Sequence, residues 1–507
     1  MVSYYRQCHQ LNTNVNFKED IMKRIIALIC ATFIVFGACC GCNPGSTSSG
    51  DDGASSTTNS DSQVSAGNDS TASSDNQPSG EGGYTRPTPN LGGKTIKVLA
   101  WFPNYVNSKK GESAFGDAYR DAIAAVEKEL NCKFQWSFVS SDELSSIVIS
   151  HAASGSKEED IVMPVLWNTS SLYTSRSLVD LNTVKSVDTS ASYWNQTANE
   201  LLTANGIQRA AIGNFCNIMS EETVAVWFNK RLISELKLEN PYDLVKSNKW
   251  TVSKLREMAK AATNPSKEQF GITTLDYKIG FGKYVLAANN QQFLTKQSNG
   301  TYKYNMSTEL CYTLDYIQSW IFDDKSICTV QEQEAQRATF KNGKSLFYVF
   351  QVSELNRFTD MKDDFGIVPF PRGDKVSEYR GQIHFSTITC GIPVTVKGDD
   401  LYNAGAVLQA LAYHSDGLAK KRESELKSRY MRDSESREMF DKYISKCGVL
   451  EPDSLAATPR QPEIEAGTTH ILGQVCGDSN QSASTLMSRN KMSTMSAILQ
   501  FNNAISK

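Results

Sequence analysis

Residues 160–166 read DIVMPVL: one acid, then an unbroken apolar run. A run this short and this rich in Val and Ile reads as a strand buried on both faces, the kind found in parallel sheets covered by helices. Upstream, residues 142–153 predict a helix, 133–139 a strand and 115–130 another helix. In that helix Phe115, Tyr119, Ala122, Ala125, Val126 and Leu130 keep close to one face. Ahead of them, KTIKVLAW at 94–101 alternates and then runs apolar, a first buried strand. The chain thus opens β-α-β-α-β, which places it in the α/β class. Residues just past the strand ends stand at the sheet's carboxyl edge, where open α/β sheets bind ligands. Those residues are Trp101, Phe102 and Asn104 after the first strand, and Trp167 and Asn168 after the third.

Downstream, residues 209–212 and 223–228 predict strands around a small-polar turn at 213–222. Residues 229–238 and 252–263 predict helices, separated by Asn240-Pro241 and Asn248. Residues 345–349 predict a strand that leads into a helix ending near Phe358. Residues 365–369 predict a strand stopped by Pro369 and Pro371. A strand over 387–396 and a helix over 402–413 follow, then a polar helical end. Trp227, Trp250 and Trp320 have apolar or helical neighbours and are assigned to packing.

The N-terminal stretch at 22–42 is MKRIIALICATFIVFGACCGC. Lys23 and Arg24 precede an apolar run too short to span a bilayer, and small residues follow, as in a secretory signal. Phe36-Gly37-Ala38-Cys39 resembles a bacterial lipobox, which makes Cys39 the expected lipidation site, with Cys40 and Cys42 as alternatives. Met1 and Met22 are both candidate starts. Residues 43–83 are mostly Ser, Gly, Thr, Asp and Asn, with Val64 as the only large aliphatic residue. Such a segment cannot bury enough apolar surface to order itself. As a coil of about 40 residues it reaches roughly 35 Å. Residues 91–507 then suit two lobes better than one core.

The balance of 52 Lys+Arg against 55 Asp+Glu argues against a nucleic-acid partner. Cys132, Cys216, Cys311, Cys328, Cys390, Cys447 and Cys476 form no CxxC pair, and their spacing leaves the disulfide state open. The histidines are scattered with no metal spacing, so neither a metal nor a cofactor is expected.

Several segments, in order, resemble the extracellular solute-binding proteins of ABC transporters, the sugar-binding group (family 1 type) in particular. They are Val224-Ala225-Val226-Trp227-Phe228-Asn229-Lys230, Asn240-Pro241-Tyr242 and Lys249-Trp250-Thr251, followed by Phe340-Lys341-Asn342-Gly343-Lys344 before an apolar strand and Gly366-Ile367-Val368-Pro369-Phe370-Pro371. The resemblance implies a type II, two-lobed α/β fold of the periplasmic-binding-protein kind, with the ligand cleft between the lobes. It divides the chain into 91–215 with 370–400 as one lobe and 216–369 with 401–507 as the other. Crossings fall near 212–223, 368–372 and 396–402. It implies a lipid-anchored monomer at the extracytoplasmic membrane face of a Gram-positive-type cell. That monomer hands a sugar or oligosaccharide, or another polyol-like solute, to permease subunits, and no enzymatic activity is expected.

Sugars present flat C–H faces and a rim of hydroxyls, which aromatic rings and carboxylates, amides or hydroxyls complement. Besides the five strand-end residues, the resemblance points to Glu222, eight residues before Lys230, and to Gln351 and Ser353 at the end of SLFYV. It also points to His384, Phe385 and Ser386 before the 387 strand. Two other readings compete. A lipoprotein glycoside hydrolase needs two carboxylates facing across a cleft. Glu221 and Glu222 are adjacent, and on a strand they point to opposite faces. A ligand sensor coupled to a histidine kinase would share the fold.

Overall fold

A computed structural model describes residues 85–506 except 104, 331, 457–460 and 479. The signal, Cys39, Cys40 and Cys42, the tether up to residue 84, and Asn104 therefore lie outside the described residues.

The opening β-α-β-α-β forms a three-stranded parallel sheet with Lys94–Ala100 in the centre, Cys132–Phe138 on one side and Ile161–Met163 on the other. Ile96, Val98 and Ala100 are buried, as a strand covered by helices requires. Helix Ala114–Leu130 starts at Ser113, whose side chain accepts from Gly116 N, and closes at Asn131 in the left-handed conformation. Helix Ser141–Ser154 opens with a reciprocal Ser140–Glu143 capping box and closes on Gly155.

The third strand is shorter than its apolar run predicts. It ends at Met163, and Leu166 already begins helix Leu166–Thr174. Pro164 has no N–H to continue a ladder; its carbonyl instead accepts from Thr389 N at 2.8 Å, and Leu166 N donates to Thr387 O at 2.7 Å. Trp167 and Asn168 consequently occupy a helix's first turn. The predicted strand over 387–396 is likewise only a line of single bridges, Ile388 to Val165, Gly391 to Val162 and Cys390 to Ala211. The 209–212 strand is reduced to the same Ala211–Cys390 bridge and its backbone bonds.

A second, four-stranded sheet runs in the order Phe365–Pro369, Val224–Asn229, Ser345–Gln351, Phe270–Thr274. Val224–Asn229 is antiparallel to both its neighbours, and Ser345–Gln351 is parallel to Phe270–Thr274. Every residue of Val224–Asn229 is buried. Trp227, Trp250 and Trp320 are fully buried around this sheet; Trp250 Nε1 donates to Pro369 O at 2.8 Å and Trp320 Nε1 to Ser326 Oγ at 2.9 Å.

The chain leaves the first sheet at Ala211 and enters the second at Val224. It returns where Ile383 bridges Thr223 and Thr387 meets Leu166. Helices Gly398–Ser415 and Leu418–Glu425 then pack on Ala114–Leu130, whereas Ser434–Lys442 packs on strand Phe365–Pro369. Among the described residues no helix is long and apolar enough to cross a membrane.

Candidate functional site

The crossing segment, the carboxyl edge of the first sheet and the end of strand Ser345–Gln351 enclose a cavity of about 460 Å³. That size lies in the usual range for small-molecule sites. Its aromatic wall begins with Trp101 and Phe102, directly after the central strand, and continues with Tyr105, Phe115 and Tyr119. Trp101 is pinned by its own N–H, which donates to Met163 O at 3.2 Å. Its ring lies 5.9 Å from Phe102 and 5.8 Å from Trp167, and Trp167 lies 5.3 Å from Phe385. Trp101, Phe102, Trp167 and Phe385 thus form one chain of tilted rings, of which Trp101 and Phe102 line the cavity.

The polar side comes from Asn214, Asn217, Glu221, Glu222, Gln351, Ser353 and Ser386. Asn217 Nδ2 donates to Ile388 O at 2.8 Å, which ties the crossing segment to the returning chain. Gln351 Nε2 donates to Ser353 Oγ at 2.6 Å, and Gln351 Oε1 is buried with no hydrogen-bond partner among the described residues.

Glu221 and Glu222 lie on the short helix Met219–Glu222 within the segment expected as a small-polar turn. Glu221 turns inward to Arg422, whose Nε donates to it at 2.6 Å and whose Nη1 donates to Glu425 at 3.0 Å. Burial raises the Glu221 carboxyl and Arg422 pulls it back. Half-buried Glu222 has no side-chain hydrogen bond or ion pair among the described residues. Burial, and next the Glu221 charge, push its carboxyl up to about 8 against the pull of Arg422. Glu354 also lines the cavity, but Arg337 holds it through two bonds of 2.7 and 3.0 Å.

The remaining expected residues sit elsewhere. Asn168 is fully buried, and its amide donates to the Ser141 carbonyl, joining two helices behind the wall. His384 is buried beside the cavity, with Nε2 3.1 Å from Asp276 Oδ2 and Nδ1 2.6 Å from Ser386 Oγ. The imidazole and the Tyr284 hydroxyl outweigh burial and hold the Asp276 carboxyl below its ordinary value. His384 thereby positions Ser386, and its ring meets Phe350 edge-on and lies tilted against Phe385. Tyr105, Tyr119, Asn214, Asn217 and Arg422 were not expected at the site. The asparagines belong to the small-polar turn that was expected as a connection, so the turn was the available signal. Arg422 arrives from some 200 residues away with none.

None of the seven described cysteines is in a disulfide. Among the described residues no group of His, Cys, Asp and Glu is arranged to hold a metal.

No family model matches this chain, and no curated protein matches it. Solved structures do. A cyclic α-maltosyl-1,6-maltose binding protein from Arthrobacter globiformis aligns at 14% identity over 80% of this chain and 99% of its own, with a TM-score of 0.57. An ABC substrate-binding protein from Listeria monocytogenes in complex with cycloalternan aligns at 15% identity over 79% and 97%, with a TM-score of 0.53. An extracellular solute-binding protein from Staphylococcus aureus in complex with maltose aligns at 14% identity over 82% and 98%, with a TM-score of 0.54. This chain therefore has the two-lobed α/β fold of the solute-binding proteins of ABC transporters.

Proposed function

We propose that this chain is an extracytoplasmic solute-binding protein that captures a carbohydrate in the 460 Å³ cavity and delivers it to ABC importer permease subunits. The observation that carries the reading is the pairing, in one cavity, of aromatic rings from Trp101 and Phe102 with the buried, unpartnered Gln351 Oε1 and the half-buried Glu222 carboxyl. Flat C–H faces stack on the former, and hydroxyls complete the latter. The likeness to sugar-bound solute-binding proteins supports it. The sequence at 22–90 supports a lipid anchor on Cys39, or on Cys40 or Cys42, followed by a tether, and so a monomer held at the outer membrane face.

The packing supports one lobe built on the three-stranded sheet, taking in 387–425. The other is built on the four-stranded sheet, taking in 224–382 and the helix at Ser434–Lys442. The crossings are then 212–223, 383–387 and 426–433. Closure of the lobes on ligand is a hinge motion at those crossings.

The reading includes no chemistry. Glycoside hydrolysis needs a second carboxylate across the cleft from the first, and Glu221 and Glu354 are both held in ion pairs by arginines. Calorimetric titration of the protein with mono- and oligosaccharides, with chromatography of the recovered sugar, tests the reading. Saturable binding with intact sugar is expected. Cleaved sugar, or no heat with any glycan, would overturn it.

A further inference from the structure

The charges around Glu222 do not balance. Glu221 and Glu222 line the cavity, and Glu425 stands behind them on the far side of Arg422. Arg422 is held by Glu221 and Glu425, and exposed Arg429 approaches Glu425 at 3.6 Å. Glu222 feels Arg422 only at a distance and has no cation in contact among the described residues. Arg357 lines the cavity too, but it is exposed and its charge is screened by water.

Much of the rest of the cavity lining is aromatic or neutral. Tyr105 and Phe115 stand on the other side of Arg422, whose guanidinium lies 5.7 and 5.5 Å from their ring centres. Burial drives the Tyr105 hydroxyl well above its ordinary range, so it stays neutral. A half-buried carboxylate beside aromatic faces is what an ammonium group satisfies, by a charge-assisted bond to the acid and by attraction to the rings. Gln351 and Ser353 remain to bind hydroxyls.

We infer that the cavity selects an amino sugar, a glycan carrying a free ammonium group that pairs with Glu222 while its ring stacks on Trp101 and Phe102. The inference rests on the carbohydrate reading of this cavity. A neutral glycan leaves Glu222 holding its own proton, whereas an ammonium group takes that proton's place and pairs with the carboxylate, so binding releases a proton from Glu222 near neutral pH.

The test compares β-1,4-linked glucosamine di- and tetrasaccharides with their N-acetylated counterparts, which keep the linkage and lose the charge, by calorimetry on the whole protein at neutral pH. The free amines are expected to bind at least about tenfold more tightly, equivalent to about 1.4 kcal/mol. Glu222→Gln should bring that ratio close to one, and Glu222→Asp, which keeps the charge, should retain a preference. A thermal melt of each variant verifies folding. If the acetylated or other neutral glycans bind as well as the amines, or if Glu222→Gln keeps the preference, the amino-sugar inference is overturned and the carbohydrate reading stands. If neither series binds, the amino-sugar inference is overturned, and the carbohydrate reading falls with it only if the wider set of mono- and oligosaccharides also gives no heat.

Discussion

Arg422 and Glu221 form a buried ion pair of 2.6 Å, with both side chains about 5% exposed, between a helix packed on the first sheet's flank and the crossing segment. Removing one partner of such a pair leaves the other as an unpaired buried charge, at a cost of about 3–5 kcal/mol. Arg422→Ala and Glu221→Ala should each lower the denaturation midpoint by that order. The paired change to Met and Leu should cost less than Arg422→Ala alone, because Glu221 then leaves no charge behind and only Glu425, which Arg429 approaches at 3.6 Å, loses a partner. Equal losses for the single and paired variants in urea titration would show that packing, not charge, holds this joint.

The ring chain Trp101–Trp167–Phe385 predicts an optical signal. Trp227, Trp250 and Trp320 are fully buried around the second sheet and should emit the same way with and without ligand. A bound sugar that covers Trp101 should shift or quench the emission, and Trp101→Phe together with Trp167→Phe should abolish that response. Trp101→Ala should also weaken binding by at least about tenfold, the scale of one stacked aromatic contact. An unchanged affinity in Trp101→Ala would place the ligand elsewhere.

Glu222 makes stability depend on pH in a particular direction. Its carboxyl is raised from 4.5 to about 8 in the folded chain. Between those values the native state holds a proton that the unfolded state has lost, so stability falls as pH rises through that window. The contribution is fully present below about pH 4.5 and gone above about pH 8. Glu221, Arg422 and Glu425 surround the group, and Glu221 titrates in the same sense. Denaturation midpoints for the wild type and Glu222→Gln should therefore diverge as pH climbs from 5 to 9, with the wild type falling further. Parallel curves would mean that Glu222 is ionised throughout.

How much of this was legible in the sequence follows from the range over which each feature is decided. Strands Lys94–Ala100 and Val224–Asn229 are written in local apolar runs, and helix Ala114–Leu130 in its period. The placement of Trp101 and Phe102 at the cavity follows from the strand they terminate. The end of the third strand was misread because apolarity does not stop at Pro164, while the hydrogen-bond ladder does. The Glu221–Glu222 pair reads as turn rather than helix, because a helix as short as Met219–Glu222 has no period to detect. Asn168 and His384 carry the right chemistry for a sugar rim, yet their partners, Ser141 and Asp276, are far off in sequence and turn them inward. Arg422 had no local mark, because its role exists only once Leu418–Glu425 docks beside the crossing segment.

Gly366, within the segment that runs to Pro371, shows why that spacing carries structural information. Strand Phe365–Pro369 is an edge of its sheet, which tolerates Pro369. A Cβ on Gly366 would come within 2.2 Å of the Tyr242 hydroxyl and 2.5 Å of the Phe228 ring. Neither has room to retreat: Tyr242 Oη is bonded to Asp433 and lies 2.8 Å from Ser436 Oγ, and Ser436 Oγ in turn accepts from Ile367 N at 3.2 Å. Gly366→Ala must therefore displace the ring or break this network, and overpacking of this kind costs about 1–3 kcal/mol, with any lost buried hydrogen bond added. Gly417→Ala is the matched control, since nothing lies within 4 Å of the new methyl group and the backbone conformation is an ordinary one. Thermal denaturation should show a clear loss for the first and almost none for the second. A neutral Gly366→Ala would mean that the strand shifts on the Tyr242–Phe228 surface, and that the glycine is not what fixes its closeness.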